Sequence, residues 1–217
     1  MRLVRVPPHS PTRFEQSRFR IDKTRQLVDG PSVHDRYHSN RDGGGLCRKR
    51  QPFGNQRRPQ CDIRLSSLMN TLQLEWILRR DRYAGRVFRK VCALDQVQVP
   101  SIFPSAYVIN SEPSSESGEH WVAVYFPLPG KAIYFDSYGL HPSVLGLESY
   151  LDACVGDNWI YNKKLLQALL SDVCGAYCVY FILFSARGYS LSRIQSHFSR
   201  NLYSNDRRIA RFIRTLH

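Results

Sequence analysis

Residues 174–184 read Cys-Gly-Ala-Tyr-Cys-Val-Tyr-Phe-Ile-Leu-Phe, without one charged side chain. A stretch this apolar offers no polar face to water, so it has to be surrounded by other elements. Its length and the Gly188 that follows predict a buried helix over about 174–187, ending near that glycine. The cysteine at its mouth meets the unpaired N–H groups and positive dipole of a helix start, a setting that stabilises a thiolate. Gly175 beside it is expected to leave room for a substrate backbone.

The elements around this helix can be read from shorter patterns. Asn70 and Gln73 form a capping-box start for a helix over about 71–80, with Leu72, Trp76 and Leu78 as its apolar face. Residues 106–110 predict a buried strand, and a polar, Ser-rich turn follows at 111–119. Trp121–Phe126, a Pro-Leu-Pro-Gly turn at 127–130 and Lys131–Phe135 predict a hairpin. A helix is expected within 143–153, a short strand at 159–161, and a helical pair at 190–197 and 206–216. The fold class is α+β: a mixed, mainly antiparallel sheet packed against helices, with a central buried helix that carries the nucleophile.

Charge divides the chain of 217 residues in two. Residues 1–69 hold 15 Lys and Arg against 6 Asp and Glu, a balance of +9 out of a total of +13. Residues 1–68 lack any sustained period, carry Gly43-Gly44-Gly45 and Arg48-Lys49-Arg50, and are read as a basic, disordered leader. Residues 69–217 form the folded domain. Arginine suits phosphate contact, so the leader is a candidate for sequence-independent nucleic-acid binding. No membrane span and no signal-peptide core is expected. The six cysteines have no disulfide-framework or zinc spacing, which predicts reduced thiols in an intracellular compartment, cytosol or nucleus. The chain is read as a monomer.

The chemistry lies in four positions. A hairpin turn centred between Leu128 and Pro129 sets Trp121 opposite Asp136 and His120 opposite Ser137, so that His120 and Asp136 meet at the open end. Asp136 would hold one imidazole nitrogen and leave the other for Cys174, the expected nucleophile. The Cys174 N–H and the Gln167 side chain are the expected oxyanion donors. Trp121 is expected to stack near the imidazole. Together these predict a cysteine protease needing no cofactor for its chemistry. The bland readings stand beside it: His141 as a rival base, Asp136 as the cap of a Ser-Tyr-Gly turn, Gln167 as an ordinary helix residue, Cys178 as core, Cys92 and Cys154 as inert thiols, His197 as a helix-surface residue.

The order His120-Trp121, Asp136, Gln167, Cys174-Gly175 resembles the clan of the adenovirus maturation protease (adenain) and the SUMO-processing proteases. Gln167 lies seven positions before Cys174, as in the adenoviral branch. Leu74-Glu75-Trp76-Ile77-Leu78, Phe88, Asp95, Val108-Ile109-Asn110, Gly118-x-His120-Trp121, Phe135-Asp136-Ser137-Tyr138-Gly139 and Cys174-Gly175-x-Tyr177-Cys178 are similar to adenovirus-like proteases of Polinton/Maverick-type virus-like elements. Asp136 stands where adenoviral enzymes commonly have Glu, and the sequence around Gln167 is more apolar than the adenoviral loop. The resemblance covers about residues 70–217. It implies an adenain-like, papain-related fold and an endopeptidase that cuts virus-like structural precursors near Gly. It also implies a peptide or DNA activator, and a nuclear or virion-like setting. Two alternatives remain: a SUMO-type deconjugating protease, and an inactive relic with a nucleic-acid-binding arm.

Overall fold

The computed structural model of the chain describes residues 69–216. The expectations for the leader, including its disorder and nucleic-acid binding, lie outside the described residues, as do Cys47 and Cys61. The described chain is an α+β domain whose five strands form one mixed sheet in the order β1-β2-β3-β4-β5. β1 (Phe88–Ala93) runs parallel to β2 (Ser105–Asn110); β2, β3 (Trp121–Leu128) and β4 (Lys131–Phe135) are antiparallel; β5 (Trp159–Tyr161) lies parallel to β4.

Helix α4 (Cys174–Ser185) is the expected central helix, buried at every position but Phe184. It packs on the β3–β4 region, where Phe181 stacks on Phe135 with centroids 4.6 Å apart. Its other sides meet α1 (Thr71–Arg80), which the short α2 (Ala84–Val87) follows, α5 (Leu191–Ser196) and α6 (Leu202–Arg214). Gly188 takes the left-handed conformation, φ 83°, just past the end. The other face of the sheet is covered around Tyr150, on α3 (Glu148–Val155), whose ring meets Phe126 edge-on. Gly146, at φ 69°, separates α3 from a 3₁₀ turn at Pro142–Leu145, so the single helix expected over 143–153 is two pieces.

Helix α1 begins as expected: Asn70 Oδ1 accepts from Gln73 N at 2.9 Å and Gln73 Oε1 accepts from Asn70 N at 3.1 Å. Its buried face differs from the expected one. Leu74, Ile77 and Leu78, spaced three and four apart, face the core. Leu72 and Trp76 sit on the opposite side and are exposed, with the Arg80 guanidinium 4.5 Å above the Trp76 ring.

The hairpin register also differs, by one residue. The turn is Pro129-Gly130, closed by Leu128 opposite Lys131, with Gly130 at φ 74°. An extra residue then enters β3 between Tyr125 and Leu128, where Pro127 lacks the N–H that a regular ladder would use. Beyond this bulge Tyr125 faces Ile133, Val124 faces Tyr134 and Ala123 faces Phe135. Among the described residues, no helix is long and apolar enough to cross a membrane.

Candidate active site

The three elements that carry His120, Asp136 and Cys174 converge at one end of the sheet. His120 directly precedes β3, and its carbonyl accepts from Ser111 N at 2.9 Å, which extends the β2–β3 pairing by a step. Asp136 directly follows β4. Both residues lie past the last β3–β4 pair, so the one-residue slip in the ladder does not separate them. His120 Nε2 donates to Asp136 Oδ1 at 2.9 Å, with His120 3% and Asp136 0% exposed.

Asp136 makes both of the contacts expected of it, to His120 and to the turn that follows. Oδ1 accepts from His120 and also from Tyr138 N at 2.8 Å, closing an Asx turn over Asp136–Tyr138, while Gly139 N donates to Asp136 O at 2.8 Å to close a turn over Asp136–Gly139. Gly139, at φ 72°, completes the turn; a Cβ there would strike the Lys164 main chain. Asn162, which no local pattern singles out, accepts from Asp136 N through Oδ1 at 2.8 Å and donates to Asp136 O through Nδ2. The carboxylate is thereby fixed by its own backbone. Its second oxygen, Oδ2, and the buried Tyr134 hydroxyl two residues back make no hydrogen bond of regular geometry. Burial and then the Asp136 charge raise the Tyr134 pKa well above 10, so this hydroxyl stays protonated.

With Nε2 held by Asp136, Nδ1 is the nitrogen left to face Cys174. Burial opposes a charge on His120, but hydrogen bonds to Asp136 and Cys174 outweigh it and raise the imidazole pKa from 6.5 to about 9. The imidazolium is therefore the favoured form at neutral pH, as a thiolate–imidazolium pair requires. Cys174 is the first residue of α4. No side chain caps that helix start, so its N–H groups and dipole bear on the sulfur and on any oxygen bonded beside it.

The missing side chain of Gly175 is used in packing. A Cβ there would come within 3.2 Å of Met69 Cβ, 3.3 Å of Leu74 Cδ2 and 3.3 Å of Trp121 Cδ1. The missing side chain lets α1 and the indole close onto α4. Trp121 accordingly packs beside α4, and the ring stacked on His120 is Tyr138, with centroids 4.8 Å apart and planes 29° off parallel.

Gln167 is fully buried and its amide is committed. Oε1 accepts from Ser137 Oγ at 2.7 Å, while Nε2 donates to Ser171 O and to Tyr138 Oη, the latter at 3.2 Å. The apolar segment around it is pinned to α6 by two polar residues absent from the sequence reading. Asn205 Nδ2 donates to Leu166 O at 3.0 Å, and Ala168 N donates to Asp206 Oδ2 at 3.2 Å. The Tyr177 hydroxyl lies 3.0 Å from both Leu166 O and Asp206 Oδ1. Burial raises the Asp206 pKa.

The remaining candidates fall outside the constellation. His141 Nδ1 meets Ser143 Oγ at 2.8 Å and caps the 3₁₀ turn, with its ring against Trp159 and Tyr161. His197 is not a surface residue of its helix alone: Nδ1 pairs with the Tyr180 hydroxyl at 2.8 Å within an aromatic cluster. Cys178 is fully buried, donates to Trp121 O at 3.3 Å, and has its pKa pushed well above 9 by burial. Burial likewise raises Cys92 to about 11 and raises Cys154. Among the described residues, no cluster of three or more His, Cys, Asp or Glu side chains is placed to hold a metal ion. No protein-family model matches the chain, and no curated protein matches it.

Proposed function

We propose that the chain is a cysteine endopeptidase of the adenoviral-maturation type. The observation that carries this reading is the buried His120–Asp136 contact beside Cys174 at the uncapped start of α4. In the proposed reaction, the Cys174 thiol proton already resides on His120 Nδ1 in the resting ion pair, and the thiolate attacks a peptide carbonyl carbon. The tetrahedral oxyanion forms against the Cys174 N–H. His120 then gives its proton to the departing amine as the C–N bond breaks, leaving a thioester. Water, deprotonated by the same imidazole, hydrolyses the thioester and frees the carboxyl product and the thiol. Asp136 keeps the ring oriented and its cation stabilised throughout.

The substrates proposed are precursor proteins of a virus-like element, cut next to Gly. The test is turnover of peptides with Gly at the cut, beside hydrolysis of modifier–amine conjugates, by the full chain and its Cys174→Ala variant. Cleavage of the peptides by the wild type alone supports the endopeptidase. Cleavage of the conjugates alone would assign the chain to the deconjugating branch. Activity that survives Cys174→Ala would end the thiol mechanism.

A further inference from the structure

Gln167, expected to face the oxyanion, has no donor left for it. Its orientation is fixed by chemistry: Ser171 O is a backbone carbonyl and only accepts, so the NH₂ end must point that way. The second N–H goes to Tyr138 Oη, and Oε1 takes the Ser137 hydroxyl. Tyr138, in turn, accepts from Gln167 and keeps its own hydrogen. The acceptor within reach of that hydrogen is Ser171 O at 3.4 Å, at the long limit of a hydrogen bond, and that carbonyl already accepts from Gln167. The Tyr138 ring is stacked on the base, and the residue is half-buried. Its hydroxyl is thus a weakly engaged donor at the site, polarised from behind by a fully anchored amide.

We propose that the Tyr138 hydroxyl is the side-chain donor to the oxyanion, and that Gln167 is a positioning residue acting through it. The order is a relay: Ser137 orients Gln167, Gln167 donates to Tyr138, and Tyr138 donates to the oxygen that becomes negative when Cys174 sulfur adds to the carbonyl. The hydrogen now shared with Ser171 O turns to the stronger acceptor as negative charge develops. Burial, and then the charge of Cys174 among its neighbours, raises the Tyr138 pKa, so the hydroxyl donates without ionising. The Cys174 N–H supplies the second donor.

This inference rests on the reading of Cys174 as nucleophile, and the test separates the two. Tyr138→Phe keeps the ring on His120 and removes only the hydroxyl. A peptide aldehyde adds to a catalytic thiol and forms a tetrahedral oxygen, whereas iodoacetamide alkylates the same thiol without one. In the full-length Tyr138→Phe protein, aldehyde affinity and kcat are expected to fall about 10- to 100-fold, while the iodoacetamide rate stays within about twofold. Gln167→Ala should weaken aldehyde binding too, but adding it to Tyr138→Phe should cost nothing further, because serial members of a relay do not add. Unchanged aldehyde affinity in Tyr138→Phe, with normal alkylation, overturns the Tyr138 assignment alone. Multiplying losses in the double variant would put Gln167 itself on the oxyanion and overturn the relay. A wild type inert to both reagents overturns the nucleophile and the relay together. Should Tyr138→Phe lose its fold, site-specific 3-fluorotyrosine at position 138 keeps ring and hydroxyl and makes a stronger donor. Tighter aldehyde binding is then expected, and unchanged binding overturns the assignment.

Discussion

Asn162 grips the main chain of Asp136 from both sides, accepting from its N–H at 2.8 Å and donating to its carbonyl. One side chain from the segment after β5 therefore sets where the carboxylate stands relative to His120. Asn162→Ala leaves two buried backbone groups unpaired, at about 1–3 kcal/mol each. The expected result is a folded but destabilised protein whose kcat falls more than its KM rises, measured by thermal melts and steady-state peptide cleavage. A melt unchanged from wild type would show that the clamp is not formed.

Cys174 and Cys178 lie one helical turn apart and should behave oppositely. Cys174→Ala is expected to reduce peptide turnover by on the order of a thousand-fold or more, with little change in melting temperature. Cys178→Ala removes a small buried donor from Trp121 O and should retain most activity. Loss of activity in Cys178→Ala with a normal melt would move the nucleophile.

His120 makes stability depend on pH in a stated direction. Its folded-state pKa, about 9, lies above the ordinary 6.5. The stabilisation from its charged form is therefore fully present below about pH 6.5 and is lost as pH rises through 9. Denaturant midpoints of wild type and His120→Gln, measured from pH 6 to 10, should differ most at the acid end and converge above pH 9. A gap that widens with pH would mean that His120 is buried neutral.

The polyanion affinity expected of the basic leader can be separated from that of the folded domain. Arg207, Arg208, Arg211 and Arg214 are exposed on α6, so the domain has a cationic surface of its own. Log affinity for duplex DNA should fall linearly with log salt, more steeply for the full chain than for a chain lacking residues 1–68. Replacing the four α6 arginines by Gln in the shortened chain should remove most of the remaining slope. Equal slopes for full and shortened chains would exclude the leader as a binding arm.

What was legible in the sequence was what neighbours in the chain decide. The Asn70–Gln73 cap, the hairpin strands, the buried helix and its Gly188 stop all depend on residues within a few positions of one another. Leu72 and Trp76 misled because they are apolar, yet it is Leu74, Ile77 and Leu78, at three-four spacing, that face the core shared with α4. Strand β1 carries Arg89 and Lys90 and pairs in parallel with a strand reached by a long connection, so it left no alternating pattern. The hairpin slip came from Pro127, whose missing N–H makes a bulge that spacing alone does not register. The His120–Asp136 contact was legible because both residues flank the same hairpin. Asn162, Asn205, Asp206 and the place of Tyr138 were not, because each works through a contact far away in sequence.

The enclosure of α4 joins the candidate site to the fold as a whole. A thiol on the first residue of the most protected helix cannot loosen by itself; amides along that helix should exchange hydrogen with solvent only in rare openings of the entire domain. The segment from Asn162 to Ser171 is held differently, by side-chain bonds reaching it from α6 and from the Asp136 turn. Variation that spares the fold therefore has somewhere to accumulate beside the candidate site, at the exposed Lys163, Lys164, Leu165 and Leu170 of this segment and not in the helix beneath it.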